Sequence, residues 1–324
     1  MNEKIFVEIN GIKQGMFLQS ENIENPVLLF LHGGAGSPEI AFTEQYPTGF
    51  DKIFTVCWWE QRGSGMSYSR SITKQEMTME QMIADTIAVV HYLRKRFKQE
   101  KVYVMGHSWG SLLGVLTVQQ APELFHAYIG IGQVANQLES ERLAYSFMLQ
   151  EFRRANNKRM VRRLEKFPID QGGEVTLQYL GVRSEGMMKL GIGVMHHCTS
   201  MMECVMIVLR YKGYTFKEKL KFPMGSEFSL KCFWNLVIQT NLIKQVPELK
   251  VPVYIFQGKY DYQVSYVIAK EFAMTVSAPV KGFYTFENSA HSPCFEESEK
   301  MCHILHTDVL HGKVDLSDNL EAVS

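Results

Sequence analysis

Lys101-Val-Tyr-Val-Met-Gly-His-Ser-Trp-Gly-Ser111 passes from a strand-like run into Gly106-His107-Ser108-Trp109-Gly110, and an apolar helical run follows from Ser111. The pattern G-x-S-x-G marks a tight strand-to-helix turn that lifts a serine hydroxyl into a cleft, where it can act as a nucleophile. Glycine two positions either side of the serine removes the side chains that would crowd such a bend. An ordinary glycine-bounded turn has the same five letters, so the flanking chain must decide.

Outward from this turn, strand-like and helix-like segments alternate. Ile5 to Glu8 and Gly15 to Gln19 read as short strands of an opening hairpin. Pro26-Val-Leu-Leu-Phe-Leu31 and Ile53-Phe-Thr-Val-Cys-Trp-Trp59 are continuous apolar runs of the kind buried on both faces of a sheet. A helical period from Met79 to Arg96 delivers the chain to Lys101. After the turn come a helix over 111–120 and a strand over 126–131, and the alternation predicts a largely parallel sheet. From about Ala135 to Phe233 the patterning is mostly helical and reads as an insertion. The alternation resumes with a strand at Val251 to Phe256, a helix around Tyr266 to Met274, a strand at Lys281 to Phe286 and a terminal helix from about Glu296 to His311. Gly312 to Ser324 is polar and is expected to be poorly ordered. The division predicted is 1–134 for the first part of the core, 135–235 for a helical cap and 236–324 for the rest of the core.

The 324 residues suffice for one large α/β domain or two smaller ones. With 34 basic and 34 acidic side chains the formal net charge is zero, which gives no reason to expect nucleic acid or a strongly charged partner. A small molecule or short peptide is the expected ligand. No apolar leader and no bilayer-length apolar run is found, so no stable membrane insertion is expected and the cytoplasm is the expected location. Six cysteines without C-x-x-C spacing read as reduced thiols.

A serine nucleophile needs a base for its proton, an acid to orient that base and donors for the oxyanion. Asp261 follows the Val251 to Phe256 run, and His291 follows the Lys281 to Phe286 run. Both then lie on the same sheet edge as Ser108, in the order serine, acid, histidine. His291 is read as the general base through Nε2, with Asp261 holding its other nitrogen. His303, His306, His311 and Asp308 compete less well, because they fall in the predicted last helix. His32-Gly-Gly-Ala-Gly36 follows the third strand, where glycines let backbone approach a substrate oxygen. An N–H of Gly34 or Ala35 could therefore pair with that of Trp109 as the oxyanion hole.

These residues resemble the prolyl aminopeptidase (proline iminopeptidase) branch of the α/β-hydrolases. The resemblance is carried by His32-Gly-Gly-Ala-Gly36, Glu60-Gln-Arg-Gly-Ser-Gly-Met-Ser67 and Gly106-His-Ser-Trp-Gly-Ser111, in matching order and spacing. It implies an α/β-hydrolase fold: a mostly parallel eight-stranded sheet flanked by helices, with a helical cap inserted after the sixth strand. It also implies Ser108 as nucleophile, Asp261 and His291 as its partners, Gly34 and Trp109 as oxyanion donors, and no cofactor. The chain departs from the usual pattern at Ala35, Glu60 and His107, where the family shows Pro, Asp and Gly. Family aminopeptidases bind the substrate's free amino group with glutamates of the cap. Their local pattern is absent here, and Glu203, within an apolar stretch, is the candidate substitute or else a solvated helix position.

Nine of the 18 methionines fall between Met148 and Met224. They admit two readings, an adaptable apolar lining and ordinary helix packing. The basic run Arg153, Arg154, Lys158, Arg159, Arg162, Arg163 and Lys166 reads first as a solvated face and second as a site for membrane-surface attachment or an acidic partner. His196-His197-Cys198 with Cys204 lacks zinc-site spacing, so no metal is predicted. The functional expectation is a serine hydrolase forming an acyl-enzyme, an aminopeptidase on small peptides first and a carboxylesterase of apolar esters second. A binding protein that has kept a hydrolase pocket would show a broken triad, and the candidate triad here is complete.

Overall fold

The structure, a computed structural model, describes residues 1–198 and 200–320. Eight strands form one sheet: β1 (Asn2–Ile9), β2 (Ile12–Gln19), β3 (Val27–Leu31), β4 (Thr55–Trp59), β5 (Val102–His107), β6 (Phe125–Ile131), β7 (Val253–Gly258) and β8 (Lys281–Phe286). Their spatial order is β1-β2-β4-β3-β5-β6-β7-β8. β1 and β2 pair antiparallel, β2 joins β4 antiparallel, and every other pairing is parallel. Asn10 and Gly11 both have positive φ, which lets a two-residue turn close the first hairpin.

Side chains alternate across the sheet and feed two cores. Leu29, Leu31, Trp59 and Val104 face one side, where they meet helices α2 (Met79–Phe97), α3 (Trp109–Gln120) and α10 (Tyr266–Thr275). Leu28, Phe30, Trp58 and Met105 face the other, against α1 (Phe50–Ile53), α11 (Pro293–Glu296) and α12 (Ser298–Thr307). β3 and β4 are buried at every residue, which explains why they read as unbroken apolar runs.

Between β6 and β7 the chain is helical: α4 (Gln137–Arg154), α5 (Lys158–Leu164), α6 (Leu177–Leu190), α7 (Met201–Arg210), α8 (Phe216–Gln239) and α9 (Leu242–Gln245). Helix thus continues beyond residue 235. Thr215 and Glu218 cap α8 reciprocally, a local start signal that sets its register. Among the described residues no helix is long and apolar enough to cross a membrane.

Two expectations near the C-terminus need correction. The helix expected over 296–311 starts at Ser298 and ends at Thr307, and Val309–His311 forms a separate 3-10 turn closed by Gly312 at positive φ. The tail is held as far as Asp318, whose N–H donates to the Phe283 carbonyl (2.8 Å) and whose carboxylate accepts from the Thr285 N–H (2.8 Å). It adds contacts along the edge strand β8, and only residues 321–324 of that stretch lie outside the described residues.

Candidate active site

Ser108 sits between β5 and α3 with φ 54° and ψ −119°, a conformation that L residues rarely adopt. The neighbouring glycines are required by contact. A Cβ on Gly110 would lie 1.9 Å from the Leu31 carbonyl oxygen, and one on Gly106 would lie 2.2 Å from the Gly110 oxygen. The bend is thus pressed directly onto β3. Trp109 begins α3, so its N–H belongs to the unsatisfied first turn at the positive end of the helix dipole.

His291 and Asp261 come together as expected. His291 Nδ1 donates to Asp261 Oδ2 (2.8 Å), with both side chains almost fully buried. Asp261 is itself held by the N–H groups of Gln263 (2.9 Å) and Val264 (3.1 Å) on Oδ1 and by Gln257 Nε2 (2.8 Å) on Oδ2. Facing Asp261 with Nδ1 leaves His291 Nε2 for another partner. Ser108 Oγ forms no hydrogen bond among the described residues. The histidine–acid contact of the candidate triad is made and the serine–histidine contact is not, and such bonds commonly close only around substrate. Among the rivals, Asp308 is engaged elsewhere: it accepts from the Tyr284 hydroxyl (2.8 Å) and the Leu316 N–H (2.9 Å).

The three sequence motifs interlock. His32 Nδ1 donates to the Gly33 carbonyl (2.9 Å), leaving Nε2 to accept from the Gln61 N–H (3.2 Å). Gln61 Nε2 donates to the His32 carbonyl (3.1 Å), and Gln61 Oε1 accepts from the Trp109 indole (2.9 Å). Burial pushes His32 down to about 4, so the ring is neutral and keeps this tautomer at neutral pH. Glu60 accepts from the Met66 N–H (2.5 Å) and from the Tyr214 hydroxyl just before α8, which ties the core to the helical insertion.

Ser108 opens into a cavity of about 420 Å³. Gly34, Ala35 and Trp109 lie in its wall, so all three predicted oxyanion residues meet there. Its far side is helical, with an apolar wall from Leu180, Met201, Leu230, Trp234 and Val237 and polar groups from Gln137, Arg183 and Glu227. Arg183 is buried and paired through Nε with the buried Glu141 (2.7 Å), while its Nη2 donates to the Gln263 carbonyl (3.0 Å). That contact ties α4 and α6 to the loop carrying Asp261.

Glu203 does not line the cavity. It accepts from the Tyr46 hydroxyl (3.2 Å) and lies near the Cys198 thiol (3.6 Å), while Glu227 of α8 is the acidic side chain in the wall. The sequence signal at Glu227 was an i,i+4 pair with Lys231 (2.5 Å), which looks like any solvated helix. Of the methionines over 187–206 only Met201 reaches the cavity, and Met187, Met188 and Met195 are packed in the cores. The basic run pairs on the surface, Arg153 with Glu165 (2.8 Å) and Arg154 with Glu151 (3.1 Å). His196 stacks on Tyr260, with ring centroids 4.0 Å apart, and its Nδ1 donates to the Gly191 carbonyl.

The family model for the alpha/beta hydrolase fold matches residues 26–298. The probable aminopeptidase YbaC of Bacillus subtilis (strain 168) is 34% identical over 305 residues, covering 94% of this chain and 95% of that protein. The proline iminopeptidase of Neisseria gonorrhoeae is 29% identical over 123 residues, 36% of each chain. The crystal structure of proline iminopeptidase from Mycobacterium smegmatis superposes with a TM-score of 0.70 at 16% identity, over 96% of this chain and 98% of that one.

Proposed function

This chain belongs to the α/β-hydrolase fold family, and on that premise we propose that it is a serine hydrolase acting through Ser108, His291 and Asp261, an aminopeptidase that removes the N-terminal residue of small peptides. The reading is carried by one observation: the buried His291–Asp261 pair stands on the same sheet edge as a serine held at positive φ, above a cavity roofed by helices. Residues 135–235 act as the cap over that cavity.

Ser108 Oγ attacks the scissile carbonyl carbon while its proton passes to His291 Nε2. Negative charge gathers on the carbonyl oxygen, where the N–H groups of Trp109 and of Gly34 or Ala35 receive it. As the carbonyl re-forms, the C–N bond breaks and His291 returns the proton to the departing amine. Water then attacks the acyl carbon while its proton passes to His291, and as the ester bond breaks His291 returns that proton to Ser108 Oγ and the acid leaves. Asp261 stays ionised and stabilises the imidazolium in both halves.

The aminopeptidase form rests on the similarity to the probable aminopeptidase of Bacillus subtilis and on Glu227, which replaces Glu203 as the cap carboxylate offered to a substrate ammonium. Lys231 holds the Glu227 carboxyl below its ordinary pKa and so ionised at neutral pH. A second reading, a carboxylesterase, is favoured by the apolar wall of Leu180, Leu230, Trp234 and Val237.

The test is covalent labelling with a fluorophosphonate probe, followed by turnover of proline and alanine anilides beside short- and medium-chain nitrophenyl esters. Wild type is expected to label and to cleave anilides, Ser108→Ala to do neither, and Glu227→Gln to raise KM for anilides about tenfold without changing ester turnover. No labelling of wild type removes the hydrolase. Labelling with ester turnover alone removes the aminopeptidase in favour of the esterase.

A further inference from the structure

His107 stands inside the serine motif, and its ring is fully engaged. Nδ1 meets Glu39 Oε1 at 2.5 Å and Nε2 meets the main-chain carbonyl oxygen of His291 at 2.8 Å. A carbonyl oxygen can only accept, and so can an ionised carboxylate. Both bonds are therefore made together only when the ring carries both protons, or when the proton next to Glu39 is shared with that carboxylate. Either way the pair holds one proton more than a neutral histidine beside an ionised acid.

The placement gives that proton a task. His107 is covalently next to Ser108. Glu39 follows the loop carrying Gly34 and Ala35, and its Oε1 lies so close to that loop that a Cβ on Gly33 would come within 3.2 Å of it, and equally close to Ser108 Cβ. The third partner is the backbone of His291, whose ring packs on that of His107 with centroids 4.7 Å apart. One imidazole thus joins the nucleophile turn, the oxyanion loop and the base loop. The ring of His107 is 3% exposed and the Glu39 side chain 12%, so water does not substitute freely for either partner.

We propose that His107, clamped as an imidazolium between Glu39 and the carbonyl of His291, is a positioning residue that holds the base loop against Ser108, and that loss of its extra proton releases the base. The proposal rests on the assignment of His291 as that base.

Several charged or titratable groups face the clamp. Burial by itself lowers the pKa of His107, but the charge and hydrogen bond of Glu39, the His291 carbonyl and the more distant Asp261 outweigh it and hold the pKa above its ordinary value. On the other sides lie His32, which is neutral, the Cys294 thiol, which burial keeps protonated, and Glu60, across a small gap lined by Glu39 and His32. With its proton gone, His107 can donate to only one of two acceptors, and the more strongly attracting carboxylate keeps it. The His291 carbonyl is then left without its donor.

Nitrogen-15 NMR of the histidine rings in the intact protein reads the clamp directly, with His107→Asn as the assignment control. At pH 7 the expected result is a doubly protonated His107 and a downfield Nδ1–H resonance from His291 that is lost in His107→Asn. The second measurement is kcat and KM against pH. His107→Asn is expected to lower kcat about tenfold with KM within twofold. Glu39→Gln keeps an acceptor but removes the charge, and should move the alkaline fall of kcat to lower pH by one unit or more. A neutral His107 ring at pH 7, or an alkaline limb that Glu39→Gln leaves in place, overturns the clamp. Failure of the wild type to react with the fluorophosphonate overturns the hydrolase reading instead, and the NMR result then still decides the state of His107.

Discussion

Two histidines a few ångströms from Ser108 show how partners set chemistry at the residue scale. His32 faces a carbonyl acceptor on Nδ1, and an N–H donor and the Ser64 hydroxyl on Nε2, and is neutral; His107 faces two acceptors and holds an additional proton. No sequence pattern separates them, because the difference comes from Glu39 and His291, at positions 68 and 184 residues from His107. The glycines of the same turn were legible, since their requirement is local and steric. Gly110→Ala must displace either its own helix or the Leu31 carbonyl, because the added carbon falls 1.9 Å from that oxygen. Overpacking of this kind costs about 1–3 kcal/mol. The variant is therefore expected to fold with lowered stability and to react with a fluorophosphonate at least about a hundredfold more slowly. A labelling rate equal to wild type would show that the turn tolerates the displacement and does not depend on contact with β3.

At the scale of elements, the strands are legible in the sequence because β3 and β4 are buried on both faces and their composition records it. Placement of the cap was not legible. Glu203 and Glu227 both sit on amphipathic helices, and only the packing of α8 against Trp109, with the Phe233 ring 4.5 Å away, brings Glu227 to the cavity. The same holds for Asp85, an unremarked acid inside α2 that turns out to be fully buried. It accepts from Asn10 (2.8 Å), Gln14 (2.8 Å), Gln81 (2.7 Å) and both Nε and Nη2 of Arg62 (2.7 and 3.0 Å). One carboxylate thereby fastens the first hairpin, α2 and the loop after β4. Removing it strands a buried guanidinium, and breaking a buried pair from one side costs roughly 3–5 kcal/mol. Asp85→Ala should lose that much in urea denaturation. A loss under about 1 kcal/mol would mean that solvent reaches Arg62 and that the network does not hold these elements together.

Across the whole molecule, buried ionisable groups set how stability follows pH. Burial raises Glu60 and Glu296 from 4.5 to about 7, and it lowers His32 from 6.5 to about 4. A raised carboxyl keeps a proton in the folded chain that the unfolded chain has released, so its contribution is complete below pH 4.5 and is lost as pH climbs through 7. His32 has the opposite sign: its contribution is complete above pH 6.5 and is lost as pH falls toward 4. Between pH 4.5 and 6.5 these three groups leave the folded chain with two carboxyl protons more and one imidazole proton fewer, a net excess of one, and toward pH 6.5 the lowered His126 and the raised His107 act on it in opposite senses. Stability should fall with rising pH by about 1.4 kcal/mol per unit in mid-window, or about 2 kcal/mol from pH 4.5 to 6.5 because each group is half-titrated at an edge. Below it, His32 and the lowered Glu185 turn the curve down again, which puts the maximum near pH 4 to 5. Glu60→Gln can keep both contacts in neutral form, its oxygen accepting from the Met66 N–H and its amide donating to the Tyr214 oxygen. It removes one of the two excess protons, so its unfolding free energy should be nearly flat between pH 4.5 and 6.5. If urea titrations at pH 4.5, 5.5 and 6.5 give the variant the same slope as wild type, the proton on Glu60 is not part of the balance, and the contact between core and cap is made by an ionised carboxylate.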